Sequence, residues 1–546
     1  VGSREPNRGA AEPGTVQPGT HGSLSAPDLA SWLAYLYSRL QPVTARFNIP
    51  RKRPRRYDPN DILLPEGFTA EVVATGLTAP VHCCFDPHGR CYVFESGHKT
   101  GIPPRIYRID VTTGERELLY EEPQERWFQT GAVTGGCWHD GALYFCNTDR
   151  LSRLDPDGTV TDIVTGLPGR GDHQANHPIL ADDGYLYWGQ GSATNLGVVG
   201  ADNYAYEWLP KFPEDHDVPA EPLRLTGRNF RYRNVLGSLS DEVECGAFSP
   251  FGTRTEPGQV VPGSVKASGA ILRCRPDGSQ LSVVAWGLRN PYGVAFHPDG
   301  RLFATEHGSD ERGERQVIGD LDDFYEIVQG AWYGWPDYAS GIRLDDARWG
   351  SKGRGREPLI ENPPDPDPPK PWVSFAAHAA ANGVDFCRDE AFGFPGDAFV
   401  ALFGDVAPVT ARPMVPIGFK VVRVDMNRRE VVDFAVNKII GPATKLPHSG
   451  FERPSHCAFG PDGALYVVDF GEISIAPEKG GIRQPDGSGA LWRIRRTGST
   501  LGQRPPEPAR LPLYGLQLAG LVGVLAAIGW GMTRALRSGW RRLGRR

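Results

Sequence analysis

Helical patterning is nearly absent from this 546-residue chain, which leaves strands and turns to build whatever core it has. A strong charge of either sign is also missing. The formal net charge of −6 is mild for this length and gives nucleic-acid binding no electrostatic support. The nine cysteines include no C-x-x-C-H, so there is no covalent haem domain, and no C-x-x-C zinc pair. Residues 1–27 lack the apolar core of a signal peptide. What is abundant is glycine (67) and proline (49), the residues that many short turns require.

The stretch 286–336 is the most informative. Two strand-like runs flank His297-Pro298-Asp299-Gly300, whose last three residues suit a tight turn. Arg289-Asn290-Pro291 precedes the first run and Glu306-His307-Gly308-Ser309 follows the second, so polar groups sit at one edge of a hairpin. The unit recurs at 79–89 and 453–463, with degenerate copies at 134–145, 177–188 and, lacking the D-G turn, 383–386. Six hairpins of this kind predict an all-β, six-bladed β-propeller over 62–497. A β-sandwich would not explain the repeated hairpin. Residues 195–265 read as an insertion between the third and fourth blades, rich in aromatics, that either roofs a site or docks a partner.

The ends read differently. Residues 1–61 are expected to be a disordered tail and linker with one short amphipathic helix at 28–41. After a linker at 498–510, residues 511–533 carry no charge and are long enough to cross a bilayer. The arginine-rich stretch 534–546 is expected to stay cytoplasmic. This predicts a single-pass membrane protein with an extracytoplasmic propeller. The missing signal peptide leaves three explanations open: a start further upstream, another export route, or a cytoplasmic propeller. Cys84 and Cys91 flank one turn, so a cross-strand disulfide stands beside the plainer reading of two buried thiols.

Arg289-Asn290-Pro291-Tyr292-Gly293, the following E-H-G, Trp332-Tyr333-Gly334-Trp335-Pro336 and Gly171-Asp172-His173-Gln174 together resemble the soluble glucose/sorbosone dehydrogenase family. The opening Leu64-Pro65-Glu66-Gly67-Phe68 is similar too. The resemblance implies a six-bladed propeller that carries pyrroloquinoline quinone (PQQ) and calcium on its axis. It implies a small-molecule substrate (a sugar, polyol or aldehyde) and an electron acceptor that the sequence does not specify. By this resemblance His173 is the general base, a role suited to a side chain titrating near neutrality. Arg289 and Asn290 are aimed at the quinone oxygens, and the carbonyls of Gly308 and Ser309 hold calcium. Arg388, Lys420 and Arg423 fall loosely at the family's positions for the PQQ carboxylates. The acidic run 320–323 reads either as metal support or as a solvated loop.

The leading expectation is therefore a membrane-anchored quinoprotein dehydrogenase. A propeller that has lost PQQ and serves as a binding or scaffold module is the second, and a calcium-dependent lactonase-type hydrolase the third. One feature is independent of the resemblance. Counting seven residues back from each turn glycine gives His82, His177 and His456 in three blades, and Thr134, Gly293 and Gly383 in the others. Equivalent positions lie at one height around a propeller axis. The three histidines should form a partial ring, with His82 and His456 closest, either capping their own strands or lining a ligand cavity as titratable groups or metal ligands.

Overall fold

A computed structural model describes residues 55–98, 101–350, 355–406, 410, 413, 415–476 and 481–509. Six antiparallel sheets form a closed ring, each with its first strand at the centre. The inner strands are Pro80–Phe85, Val133–His139, Ile179–Leu180, Pro291–Phe296, Ala381–Phe386 and Pro454–Phe459, in blades 1 to 6. These are the hairpins predicted from the repeat, and the all-β six-bladed propeller follows.

Burial explains why the repeat is so apolar. Blades pack face to face, so a middle strand such as Cys91–Glu95 is buried on both sides, whereas the outer strand Arg116–Glu121 is mostly exposed. Phe94 and Phe145 fill the wedge between blades 1 and 2, and Phe399, Phe434 and Trp492 fill that between blades 5 and 6. Each such phenylalanine contributes roughly 1.5–3 kcal/mol of burial. The ring is locked by its own ends: Phe68–Leu77 forms the outermost strand of blade 6, paired along Gly489–Arg496.

In five inner strands the register jumps next to the first residue, at Pro80/His82, Val133/Gly135, Pro291/Val294, Ala381/Val384 and Pro454/His456. Such bulges re-aim side chains at the rim of a barrel or ring. The register also corrects one expectation. The position equivalent to His82 in blade 2 is Gly135, not Thr134, because the connection after Trp138 is one residue shorter than that after Phe85, so a fixed count back from the turn overshoots.

One other expectation changes, and two open alternatives are decided. The insertion lies inside blade 3, between its second strand Leu186–Gln190 and its third, Ala270–Cys274, since the two are hydrogen-bonded neighbours. The hairpin repeat reports only the inner strands, so it could not show this. The acidic run is no solvated loop: Asp322–Glu326 is the third strand of blade 4, and Asp320, Asp322 and Asp323 are buried. All nine cysteines are free. Cys91 pairs with Phe85 and packs with Cys83, while Cys84 points to the opposite face, as the two-residue period of a strand requires.

No helix among the described residues is long and apolar enough to cross a membrane. The segments 28–41 and 511–533 lie outside the described residues.

Candidate active site

The chain arrives at each inner strand through a loop, and in blade 4 that loop is clamped by one carboxyl. Pro291 pairs with Glu306, and Glu306 Oε1 accepts the backbone N–H of both Arg289 and Asn290. Asp469 does the same for Glu452 and Arg453 in blade 6, and Glu95 takes the N–H of Thr78 in blade 1. The E of the E-H-G motif therefore fixes the geometry of Arg289 and Asn290. The recurrence of an acid at this point was visible in the sequence and was missed because only the turn end of each hairpin was aligned.

The clamped loop brings four of the predicted residues together. Arg289 Nη1 donates to the carbonyl of Gly308 at 2.8 Å, Nη2 to Asn195 Oδ1 at 2.9 Å, and Nε to the Asn195 carbonyl at 3.2 Å. Nη2 also meets Asp310 at 3.2 Å, and Nη1 the His307 carbonyl at 3.5 Å. All five guanidinium donors thus have protein acceptors. Arg289 braces the loop between Asn195, Gly308 and Asp310.

His173 stands beside Asn290. A Cβ on the intervening Gly191 would lie 2.3 Å from His173 Cβ and 2.7 Å from Asn290 Oδ1, so only glycine permits the approach. His173 Nδ1 donates to the Ser192 carbonyl at 3.0 Å, and the Ser192 N–H donates to the Arg289 carbonyl at 2.7 Å. With Nδ1 occupied as a donor, Nε2 carries the lone pair. Burial, then the Arg289 charge, holds the imidazole well below the usual histidine range, so it is neutral at pH 7.

Sequence reasoning missed a polar relay behind these residues. Asn176 donates to Asn290 Oδ1 at 3.1 Å, Asn290 to His307 Nδ1 at 2.9 Å, and His307 Nε2 to Asn382 Oδ1 at 2.9 Å. Burial pushes His307 down to about 4, which keeps it neutral and the relay directional. The insertion closes over the front. Asp172, next to His173, accepts from Trp208 Nε1 at 2.8 Å and Asn203 at 3.1 Å, and pairs with Arg312. Arg312 also pairs with Asp202 and Asp310, and lies 4.1 Å from the Tyr206 ring centroid. Of the two roles open to the insertion, the structure shows it roofing this cluster.

Gly308 and Ser309 lie beside the buried acids. Their N–H groups donate to Asp322 and Asp320 at 2.9 and 2.6 Å. Glu306 Oε2 and Asp320 Oδ1 are buried without a hydrogen-bond partner, and both residues line a cavity of about 30 Å³ with Gly308, Ser309 and Asp323. Burial raises Glu306 to about 8 and Asp323 to about 7. A hard cation would supply the missing partner for such oxygens, so the donor set fits calcium.

Arg388, Lys420 and Arg423 are not brought to this cluster. Arg388 follows the far end of its strand, bonded to Asp385 and to the Phe296 carbonyl on the opposite face of the ring. Lys420, on the third strand of blade 5, pairs with Asp433 on the fourth. Arg423 is buried against Asp397, over the Phe394 ring. Strand alternation and antiparallel reversal put them there, and neither shows in a loose alignment. The buried basic residue at the position equivalent to Asn290 is Arg453, which donates to the Gly404 and Asp405 carbonyls.

Residues 262–407 match the family described as Glucose / Sorbosone dehydrogenase. The chain resembles the glucose/sorbosone dehydrogenases. The matched segment holds Arg289, Asn290, Gly308 and Ser309, while His173 lies outside it. Quinoprotein glucose dehydrogenase B of Acinetobacter calcoaceticus is 26% identical over 304 residues, 50% of this chain and 53% of that protein. The chain therefore spans about half the length of that curated relative. Among solved structures, the PQQ domain of Coprinopsis cinerea pyranose dehydrogenase superposes with a TM-score of 0.49 at 17% identity, over 82% of this chain and 99% of that one. PQQ-bound aldose sugar dehydrogenase from Streptomyces coelicolor gives 0.44 at 18% identity, over 79% and 99%.

Proposed function

We propose that the protein is a quinoprotein-type dehydrogenase that oxidises a hydroxyl group of a sugar, or of a related polyol or aldehyde hydrate. The observation that carries this reading is the convergence of His173, Asn290 and the Arg289 charge at one end of the inner strands. PQQ, when bound, would supply the hydride acceptor. Asn290 and the charge of Arg289 would face its reactive end, and the acid-lined cavity at Gly308 and Ser309 would hold calcium.

The protein's own residues do the rest. Nε2 of His173 takes the proton of the substrate hydroxyl, and the Ser192 carbonyl holds the ring in the required tautomer. The fixed positive charge of Arg289 stabilises negative charge that develops beside it in a site with little water. The roof formed by Tyr206, Trp208 and Arg312 excludes solvent from that step.

The second reading, a propeller without PQQ, draws on a specific observation. Every Arg289 donor is already satisfied, and the three basic residues expected at the PQQ carboxylates lie elsewhere. One experiment separates the two: purified protein mixed with PQQ and calcium, assayed for quinone absorbance and for dye reduction across a sugar panel. Reduction by the wild type, lost on His173→Ala, supports the dehydrogenase; no quinone uptake by folded protein supports the scaffold. We also propose that 511–533 anchors the propeller to the cell membrane from the extracytoplasmic side, on the strength of its uncharged length and basic flank.

A further inference from the structure

The three histidines singled out by the repeat converge on the propeller axis. The ring centroids of His82 and His456 are 3.9 Å apart, those of His82 and His177 4.3 Å, and those of His177 and His456 5.2 Å. His82 and His456 are the closest pair, as expected for neighbouring blades. All three side chains are buried, with relative exposures of 4, 1 and 4% for His82, His177 and His456.

Glycine in the other blades makes the cluster possible. A Cβ on Gly135 would lie 2.5 Å from His82 Cβ and 2.9 Å from His177 Cβ, and a Cβ on Gly383 would lie 2.0 Å from His456 Nδ1. Blades 1, 3 and 6 supply imidazoles, and glycines in the alternate positions vacate the volume the rings occupy. The rings do not satisfy one another. Nδ1 of His177 and Nδ1 of His456 are buried without a hydrogen-bond partner, and His82 Nδ1 has only a long 3.5 Å contact with the Gly136 N–H. Buried ring nitrogens without a partner are costly, and a bound ion would supply what they lack.

We propose that His82, His177 and His456 form a transition-metal site on the propeller axis, for a divalent ion of the zinc class. One nitrogen from each ring lies within 4.8 Å of the others. Bonds of about 2.0–2.1 Å in a tetrahedral site set ligand nitrogens about 3.3 Å apart, so the nitrogen separations shorten by at most about 1.5 Å on binding. Imidazole donors select zinc, cobalt, nickel or copper over calcium, which takes oxygen. Burial keeps all three rings in the neutral, ligating form.

The site is separate from the calcium cavity, and it uses no residue assigned above to catalysis. Tyr292 lies between the two, 6.1 Å from His177 and 5.4 Å from His307 by ring centroids. The ion would tie blades 1, 3 and 6 together across the axis.

The test needs neither PQQ nor substrate. Full-length protein stripped with a chelator is titrated with Co²⁺ and followed by its visible d–d bands. One equivalent per chain is expected, displaced by Zn²⁺ and unaffected by excess Ca²⁺. His177→Gln, with folding checked by circular dichroism, should weaken Co²⁺ at least 100-fold. Folded wild type that binds no Co²⁺ would overturn the proposal, as would a folded His177→Gln that binds it equally well. If that variant does not fold, X-ray absorption at the zinc edge of the wild type decides. Three imidazole nitrogens in the first shell support the site, and an oxygen-only shell removes it.

Discussion

Nδ1 of His173 lies 3.0 Å from the carbonyl oxygen of Ser192. That single contact selects the tautomer and so decides which nitrogen faces a substrate. Replacing His173 with Ala should cost ~10²–10⁴-fold in kcat, the usual worth of a general base. Stopped-flow dye reduction at saturating sugar checks it, and a loss below tenfold removes the base assignment.

The pH dependence follows in sign. The base works when neutral, and burial, then the Arg289 charge, holds His173 well below the ordinary histidine value of 6.5. Activity should hold as pH falls through 6.5 and decline only in more acid solution. A kcat/KM profile with its acid limb above 6.5 would contradict the burial argument.

The roof depends on one cation. Arg312 meets Asp172, Asp202 and Asp310, and its side chain is 10% exposed. Arg312→Ala leaves the Asp172 and Asp202 carboxylates without a cation, Asp310 keeping Arg289, and should destabilise by about 3–5 kcal/mol. Urea unfolding measures the loss, and limited proteolysis should find new cleavage within 195–265.

Glu306 separates shape from charge. Glu306→Gln keeps an oxygen for the Arg289 and Asn290 N–H groups, whereas Glu306→Ala leaves both without one, at about 1–3 kcal/mol each. Glutamine should preserve the fold while weakening calcium, read by isothermal titration calorimetry. Equal calcium affinity in wild type and Glu306→Gln would take Glu306 out of the cation site.

The anchor is tested by truncation after Pro508. Soluble, folded propeller is expected, judged by sedimentation and circular dichroism. Truncated protein that stays with membranes places the anchor elsewhere.

What the sequence disclosed and what it hid divide along physical lines. Inner hairpins were legible because their turns need Pro, Asp and Gly at fixed offsets, and the same offsets put His82, His177 and His456 at one height. Arg289 and Asn290 were legible as a motif. The saturation of Arg289 was not, because its partners Asn195 and Asp310 come from the insertion and from beyond the E-H-G. Outer strands carry no turn signature, which misplaced the insertion. Lys420 and Arg423 could not be oriented, since a one-residue change of register moves a side chain to the other face.

The pairing of Phe68–Leu77 with Gly489–Arg496 has a temporal meaning. Glu71 and Arg493 are in contact across 422 residues of chain. At about 5–20 residues per second, the early strand waits roughly 20–85 s for its partner to leave the ribosome. Throughout that interval the ring is an open arc, with an unpaired edge at one end and an unfinished blade at the other. An unpaired strand edge invites wrong partners, so this arc is the stage at which the chain is most open to mispairing.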